Sequence, residues 1–563
     1  MAIIDRGGKS KKSEPEVAAS SISHQIDTLE ALAANYREDL FGANWYQDLR
    51  EFYNLTINSS LYPSFRPPIA IPQFQTLAIT EGSDLADMDP KIYITQKDKR
   101  VKEREVALQS EWRDSYINNQ LMLGSIWSML NGNGYMQIGF DPYARGGQGK
   151  VWTKMRDPET VFVDPAATCE EDWNYLILVD RVYPEVVRER FPITGRAIDA
   201  PPPTILQPAD EYQSRRARLR VLPGPMSIRN PIQEKPQMSS DGRVRLRYLW
   251  LFDGQTVDIT KEKGGTSVQT DKLVTPKFEL KYPNGRLVVE CEGRILYDGD
   301  NNLPQRSFGL VRIMGMPALN SFYAPPPLRF TRTLQTVAEK MYTQFFENVV
   351  RCNNGVWFIE EATGISAEDF GGIPGEVRII STGSKVPEFK APNALPSQLL
   401  EIPKTLLALQ RELMGFTPPR QGDHGKGNIG VDLFDAAVFQ SQSMTRMRSK
   451  LMAESVYKIA KQMFAIMATY YKDYDYPDFS KEFEMRKWER ITKPEDFLLY
   501  LDPASIRPIS QAAMQKMIPV LRKEGLMDAR TALEEMDIPG SGEIADNLEK
   551  EQALQAIARL KRR

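Results

Sequence analysis

Histidine and cysteine are the scarce residues of this 563-residue chain, with two of the first and three of the second. His24 lies in a polar N-terminal stretch and His424 in a glycine-rich segment. Histidine-based zinc sites and Ser–His or Cys–His triads, which need convergent imidazoles, are therefore disfavoured. An ordinary hydrolase goes with them. Cys169, Cys291 and Cys352 stand singly without a Cys-x-x-Cys pair, and we expect reduced thiols rather than a disulfide framework. No apolar run approaches the ~20 residues of a membrane span, so no membrane helix is expected. The first 25 residues lack an apolar signal core, from which a cytosol-like compartment is expected. Charge of one sign is also missing: 72 Lys and Arg against 74 Asp and Glu give a net charge of −2. No repeat of 20–50 residues points to a solenoid.

The length allows roughly three to five domains. Residues 1–25 are lysine- and serine-rich and read as a disordered arm. From Ile26 the apolar positions Leu29, Leu32, Ala33, Tyr36 and Leu40 recur at helical spacing, and Trp45, Leu49, Phe52 and Tyr53 continue them. Helix is expected again over 73–85 and, as one long run, over 99–130 until Asn131-Gly132-Asn133-Gly134 ends it. Segments 135–140, 151–155, 160–163, 175–179, 244–252, 277–282 and 287–289 read as strands, with Asn284-Gly285 as a hairpin turn.

Beyond Pro325-Pro326-Pro327, the residues Phe330, Leu334, Val337, Met341, Phe345 and Val349 recur every four or three positions and predict an amphipathic helix over 328–351. Asn353-Asn354-Gly355 stops it. A second helix is expected over 396–414, kinked by Pro403, and a glycine-rich loop over 415–430. No glycine or proline interrupts 431–476, which permits a helix of up to ~45 residues, about 65 Å long. Its apolar residues spread over more than one face, so it should pack on several neighbours, those of other copies included.

Glu81, Asp84, Asp87 and Asp89 could hold Mg²⁺ for nuclease chemistry, although acids near a helix end are commonly solvated. Glu170, Glu171 and Asp172 read as a loop face. Gly422 to Gly427 lacks the Gly-Lys-Ser/Thr of a nucleotide loop, so what remains is a loop whose Arg420 and Lys426 could touch phosphate non-specifically. Arg215, Arg216, Arg218 and Arg220 form a candidate anionic patch, without the interleaved aromatics that stack single strands.

The order of features resembles the portal proteins of tailed bacteriophages. The stretches that carry the likeness are Trp45-Tyr46 to Tyr53-Asn54, Arg66-Pro67-Pro68-Ile69 with Gln75-Thr76, Asp87-Met88-Asp89-Pro90-Lys91-Ile92, Gly134-Tyr135-Met136-Gln137 and Val163-Asp164-Pro165. Tyr282-Pro283-Asn284-Gly285-Arg286, the helix–turn–helix–loop–long-helix succession and residues 526–539 continue it, so that it spans about 30–550. Each motif is short, and their order carries the resemblance.

The resemblance implies an α+β, mainly helical fold of the portal type, with wing, stem, clip and crown, a long spine helix and a mixed sheet domain. It assigns 26–325 to the wing, 326–351 and 396–414 to the stem helices, 352–395 to the clip, 415–430 to the tunnel loop, 431–480 to a long wing helix and 481–563 to the crown and C-terminal tail. Phe330, Leu334, Val337, Met341 and Phe345 would pack the stem. Glu360, Glu361, Glu368 and Asp369 of the clip would meet the motor and adaptor. Arg420, Lys426 and Asn428 would line the channel, with Lys426 at its constriction. The implied protein is not an enzyme and needs no cofactor or metal. It forms a ring of about twelve copies at one capsid vertex, meeting the major capsid protein, the terminase large subunit and the head–tail adaptor while double-stranded DNA passes through. It would be assembled in the host cytoplasm and reside in the virion. The alternatives are a metal-dependent nuclease and another virion structural protein such as an adaptor.

Overall fold

The structure, a computed structural model, describes residues 14–42, 45–55, 69–86, 90–97, 99–195, 243–254, 256–258, 278–304, 306–353, 356–358, 388–390, 396, 400–417, 443–478, 484–491, 496–501 and 518. It mixes helices with several small sheets. Two compact units divide the chain: Met1–Tyr46, Glu81–Pro325 and Arg446–Arg563 form the first, Gln47–Thr80 and Pro326–Thr445 the second.

In the first unit, β5 (Val161–Val163), β6 (Tyr175–Val182), β7 (Val244–Leu251), β10 (Arg286–Cys291) and β11 (Arg294–Asp300) form an antiparallel sheet of order β11-β10-β7-β6-β5. Helix α1 (Glu14–Phe41) lays Ile22, Ile26, Leu29 and Ala33 on Ile177, Val179, Leu249 and Val288 of this sheet. Their 4-3-4 spacing puts them on one helical face. Polar anchors fix the register. Arg247 of β7 pairs with Asp27 and Glu30 of α1 and Glu290 of β10, and Arg245 pairs with Glu30. Arg37 donates through Nη1 to the carbonyls of Pro158, Glu159 and Val161 at 3.2, 3.1 and 3.1 Å, with its guanidinium over the rings of Tyr46 and Phe162.

Helices α4 (Lys102–Asp114) and α5 (Ile117–Asn131) surround the largest core together with α9 (Ser443–Tyr470). Met452, Val456, Ile459, Met463, Phe464 and Met467 of α9 are buried there. They meet Leu108, Trp112, Ile117 and Leu121, and residues of two three-stranded sheets. One has the order β12-β3-β4, from β3 (Asn133–Asp141), β4 (Lys150–Arg156) and β12 (Leu310–Met314). The other has the order β17-β1-β2, from β1 (Ile92–Gln96), β2 (Lys99–Arg100) and β17 (Phe497–Leu501). Hairpin β15 (Tyr474–Asp478) with β16 (Glu484–Trp488) closes the core through Tyr474, Tyr476 and Trp488. Strands β8 (Thr256–Asp258) and β9 (Phe278–Leu280) pair with each other, and α6 (Pro184–Arg190) follows β6.

The second unit contains α7 (Pro327–Asn353), α8 (Glu401–Leu413) and the pair β13 (Val356–Phe358) with β14 (Glu388–Lys390). Helices α2 (Trp45–Tyr53) and α3 (Gln73–Ala86) belong partly to each unit in sequence.

Several sequence expectations are corrected. The N-terminal arm is helical from Glu14, because Ile22 and Ile26 have a sheet to cover. The run 99–130 starts as strand β2 and continues as two helices, broken at Ser115 and Tyr116, where Tyr116 adopts φ +49°. Asn284-Gly285 does not join paired strands: β9 pairs with β8, and β10 pairs with β7 and β11. The hairpin turn is Glu292-Gly293, with φ +48° and +80°, the geometry that tight two-residue hairpins demand. The long helix ends at Tyr470, and residues 474–478, expected within it, are strand β15. Tyr474 and Tyr476 alternate with polar residues and bury against Trp488, a period of two that overrides the absence of helix breakers. From Met452 onward the apolar residues of α9 are buried in this chain's own core, while Phe434 and Val438 lie outside the described residues. In the region read as crown, 484–488 and 497–501 are strands, and β17 pairs with β1 from far earlier in the chain.

Candidate assembly interface

Helix α7 opens at Pro327, whose missing N–H is harmless in a first turn, and its 27 residues end at Asn353. Its buried side is largely polar. Thr331, Gln335, Thr343 and Glu347 are all less than a tenth exposed, alongside Leu328 and Ala338. Thr343, Glu339 and Gln335 hold segment 69–74, which is irregular through Pro72 and helical from Gln73. The Ile69 N–H donates to Thr343 Oγ1 at 3.2 Å, the Ile71 N–H to Glu339 Oε1 at 3.0 Å and the Phe74 N–H to Gln335 Oε1 at 3.1 Å. Gln335 Nε2 donates in turn to the Ile71 carbonyl and to Glu339 Oε1. Side chains four apart on a helix rise about 6 Å, close to the ~6.6 Å spanned by two residues of extended chain. Glu339 and Thr343, four apart, thus match Ile71 and Ile69, two apart, whereas Phe74, bound by Gln335, already lies in the first turn of α3.

Helix α8 joins the same network. Gln410 Nε2 donates to Gln335 Oε1 at 3.1 Å, and Gln73 Nε2 donates to the Leu407 carbonyl at 2.6 Å. Met414, just past α8, meets Thr331. Pro403 does not kink this helix. The helix starts at Glu401 rather than 396, so Pro403 falls in the first turn, where no N–H is required. Lys404 reaches Glu401 Oε1 at 3.0 Å, and this hydrogen bond raises its pKa above the usual lysine value.

With the polar stripe turned inward, the apolar stripe is left outside. Phe330 is 57% exposed, Val337 41% and Phe346 45%, while Leu334, Met341 and Phe345 are half-buried. On α8, Ile402, Leu409 and Leu413 are 45, 41 and 50% exposed, with Leu406 half-buried. Positions 330, 334, 337, 341 and 402, 406, 409, 413 share the 4-3-4 spacing of a helix–helix seam. The residues read as stem packing therefore find incomplete cover inside one chain. Patches of clustered exposed apolar residues mark association surfaces more often than chance solvent contact.

The remaining sequence candidates are dispersed. Glu360, Glu361, Glu368 and Asp369 lie outside the described residues, as do Arg420, Lys426, Asn428 and Arg215 to Arg220. Glu81 is fully buried in the first unit and paired with Arg448 at 3.1 Å, so it serves an internal ion pair rather than a solvated turn. Asp84 is half-buried, and Asp87 and Asp89 lie outside the described residues. Glu170 is no free loop acid either. It accepts from the Arg312 N–H at 2.7 Å and pairs with Lys458. Burial works against the Lys458 charge, yet Glu170 and Glu454 outweigh it and raise that pKa. Among the described residues, no three His, Cys, Asp or Glu side chains are grouped to hold a metal ion, and no helix is long and apolar enough to cross a membrane.

Sequence reasoning missed Gln335, Glu339 and Thr343. Their signal was present as polar residues four apart opposite an apolar stripe, which ordinarily reads as a solvated face. No known family model matches the chain, and no curated protein is similar to it.

Proposed function

We propose that this chain is a ring-forming subunit of the portal type, in which about twelve copies encircle a channel for double-stranded DNA at one vertex of a viral capsid. The observation that carries this reading is the inverted amphipathicity of α7 and α8: polar side chains bury within the chain, and seam-spaced apolar ones face outward. A closed ring joins two different patches of neighbouring subunits, and two helical stripes on one unit provide such a pair. Near-zero net charge suits a conduit, since each neutralised phosphate tightens binding through counterion release and would hinder sliding. In this reading Lys426 sits at the constriction, and residues 352–395 meet the terminase large subunit and then the head–tail adaptor. The major capsid protein surrounds the ring.

Mass photometry of the purified protein tests it. A species near twelve times 64.1 kDa is expected, with an axial opening in negative-stain images. Monomers or small oligomers only would refute it. The nuclease alternative rests on Asp84, Asp87 and Asp89, of which Asp84 alone lies within the described residues.

A further inference from the structure

Strand β12 places Arg312 directly opposite Tyr135 of β3, which on its other side faces Arg156 of β4, so the three side chains form one row across the sheet. The two arginines are met differently. Arg156 spends Nη1 and Nη2 on Asp180 and donates through Nε to Gln137 Oε1 at 2.7 Å. Arg312 is only 6% exposed, yet no carboxylate among the described residues lies in ion-pair reach of its guanidinium. A guanidinium does not shed its proton in a protein, and a charge so far from water is ordinarily paired. Glu170 does not serve. One of its oxygens accepts the backbone N–H of Arg312 at 2.7 Å and the other pairs with Lys458.

What holds the Arg312 guanidinium is Phe322, whose carbonyl accepts from Nη1 and whose ring centroid lies 4.4 Å from the guanidinium carbon. That occupies one edge of the group. On the other edge Nε–H is buried without an acceptor, while Nη2, also without a partner among the described residues, keeps contact with solvent. Nε and Nη2 are the prongs of the fork with which Arg286 grips the carboxylate of Asp298, at 2.7 and 2.8 Å. More donors gather beside it. The Phe322 carbonyl also accepts from Asn133 Nδ2 at 3.2 Å, and the same nitrogen donates to Tyr135 Oη at 3.2 Å, which ties Tyr135 to Arg312 through two shared groups. Because the Tyr135 oxygen accepts there, its own O–H is left to donate, and burial raises this phenol well above its ordinary pKa, so the proton stays. Trp173, edge-on to Phe322 at 5.5 Å, adds a buried indole N–H with no acceptor. Unspent donors around an unpaired cation suit a negative ligand.

We propose that the Nε–Nη2 fork of Arg312, together with the Tyr135 hydroxyl, binds a small monovalent anion such as chloride. The ion enters from the Nη2 side. An exposure of 6% admits an ion but not a peptide or the backbone of a second copy. The bound anion does for Arg312 what Asp180 does for Arg156, and so steadies the pairing of β12 with β3. The site belongs to the first unit alone and does not depend on the ring.

Thermal melting of the full chain in sodium chloride and in sodium gluconate of equal ionic strength tests this, gluconate being too large for the fork. Chloride should raise the melting temperature by about 3 °C, the shift that a ligand at roughly ten times its dissociation constant gives a large domain. Arg312→Met keeps the length of the side chain and removes the charge, and it should abolish the difference between the two salts. Tyr135→Phe removes only the hydroxyl and should weaken chloride about tenfold, as the loss of one hydrogen bond to a charged group does. In crystals soaked with bromide, an anomalous peak is expected within hydrogen-bond reach of Arg312 Nε and Nη2. Should Arg312→Met not fold, Tyr135→Phe and the bromide peak decide. Equal melting of the parent in both salts, a chloride effect that the variants keep in full, or a water alone at the fork would overturn the proposal.

Discussion

The division of labour on α7 can be tested with two substitutions five residues apart, on its outward and inward faces. A phenylalanine presents roughly 200 Å² of surface, so the 57% exposure of Phe330 leaves about 110 Å² to be covered by a neighbour. At about 25 cal/mol per Å² that is worth about 3 kcal/mol, or roughly a hundredfold in the affinity of one contact. Phe330→Asp should remove this and place a charge in the seam, while leaving the isolated subunit as stable as before. Gln335→Leu should act the other way. It strips the acceptor from two buried donors, the Phe74 N–H and Gln410 Nε2, at about 1–3 kcal/mol each. It leaves the outward stripe intact. Sedimentation velocity reads assembly, and denaturant unfolding at a concentration where only monomer exists reads stability. The expected pattern is lost assembly with unchanged unfolding for Phe330→Asp, and a lowered midpoint for Gln335→Leu. If Phe330→Asp assembled as the parent does, the outward stripe would not be an interface and the reasoning would be wrong.

Three further outcomes follow from the first unit. Arg448→Met leaves Glu81 buried without its 3.1 Å counter-charge and should cost about 3–5 kcal/mol by urea unfolding, with Glu81→Leu in the same chain restoring most of it. Burial pushes the Cys291 thiol up to about 12, so at pH 8 a thiol reagent should titrate Cys169 and Cys352 and reach Cys291 only in denaturant. The raised pKa also means that Cys291 favours folding below the ordinary thiol pKa near 8.5 and that this contribution fades as pH climbs toward 12. A Cβ on Gly134 would meet the Gly124 carbonyl at 2.4 Å, whereas one on Gly124 would meet the ends of Ile313 and Met155 at 2.5 and 2.9 Å. Gly134→Ala should therefore destabilise far more than Gly124→Ala, as thermal melting would show, because backbone yields less than side-chain tips.

Local pattern was enough to find α3, α7 and the strands at 150–156, 175–182 and 244–251, and the body of β3, which begins at Asn133 inside the stretch read as a turn. In the helices the apolar period matches the element, while β3 and β6 are largely apolar runs buried on both faces. Gly132, at φ +87°, stops α5 where the Asn-Gly run said it would. The outward stripe at 330, 334, 337 and 341 was also legible, since its spacing needs no partner to be seen.

Three-dimensional contact decided the rest. Whether a stripe faces inward or outward depends on which surfaces the fold has already covered, and α7 meets backbone N–H groups of 69, 71 and 74 that Thr343, Glu339 and Gln335 satisfy. The same holds for 474–478, which becomes strand because Trp488 waits across the hairpin, and for β17, whose partner lies some four hundred residues earlier. Sequence periodicity records what each segment can bury. Which neighbour buries it is set by the long-range pairing that folding brings about.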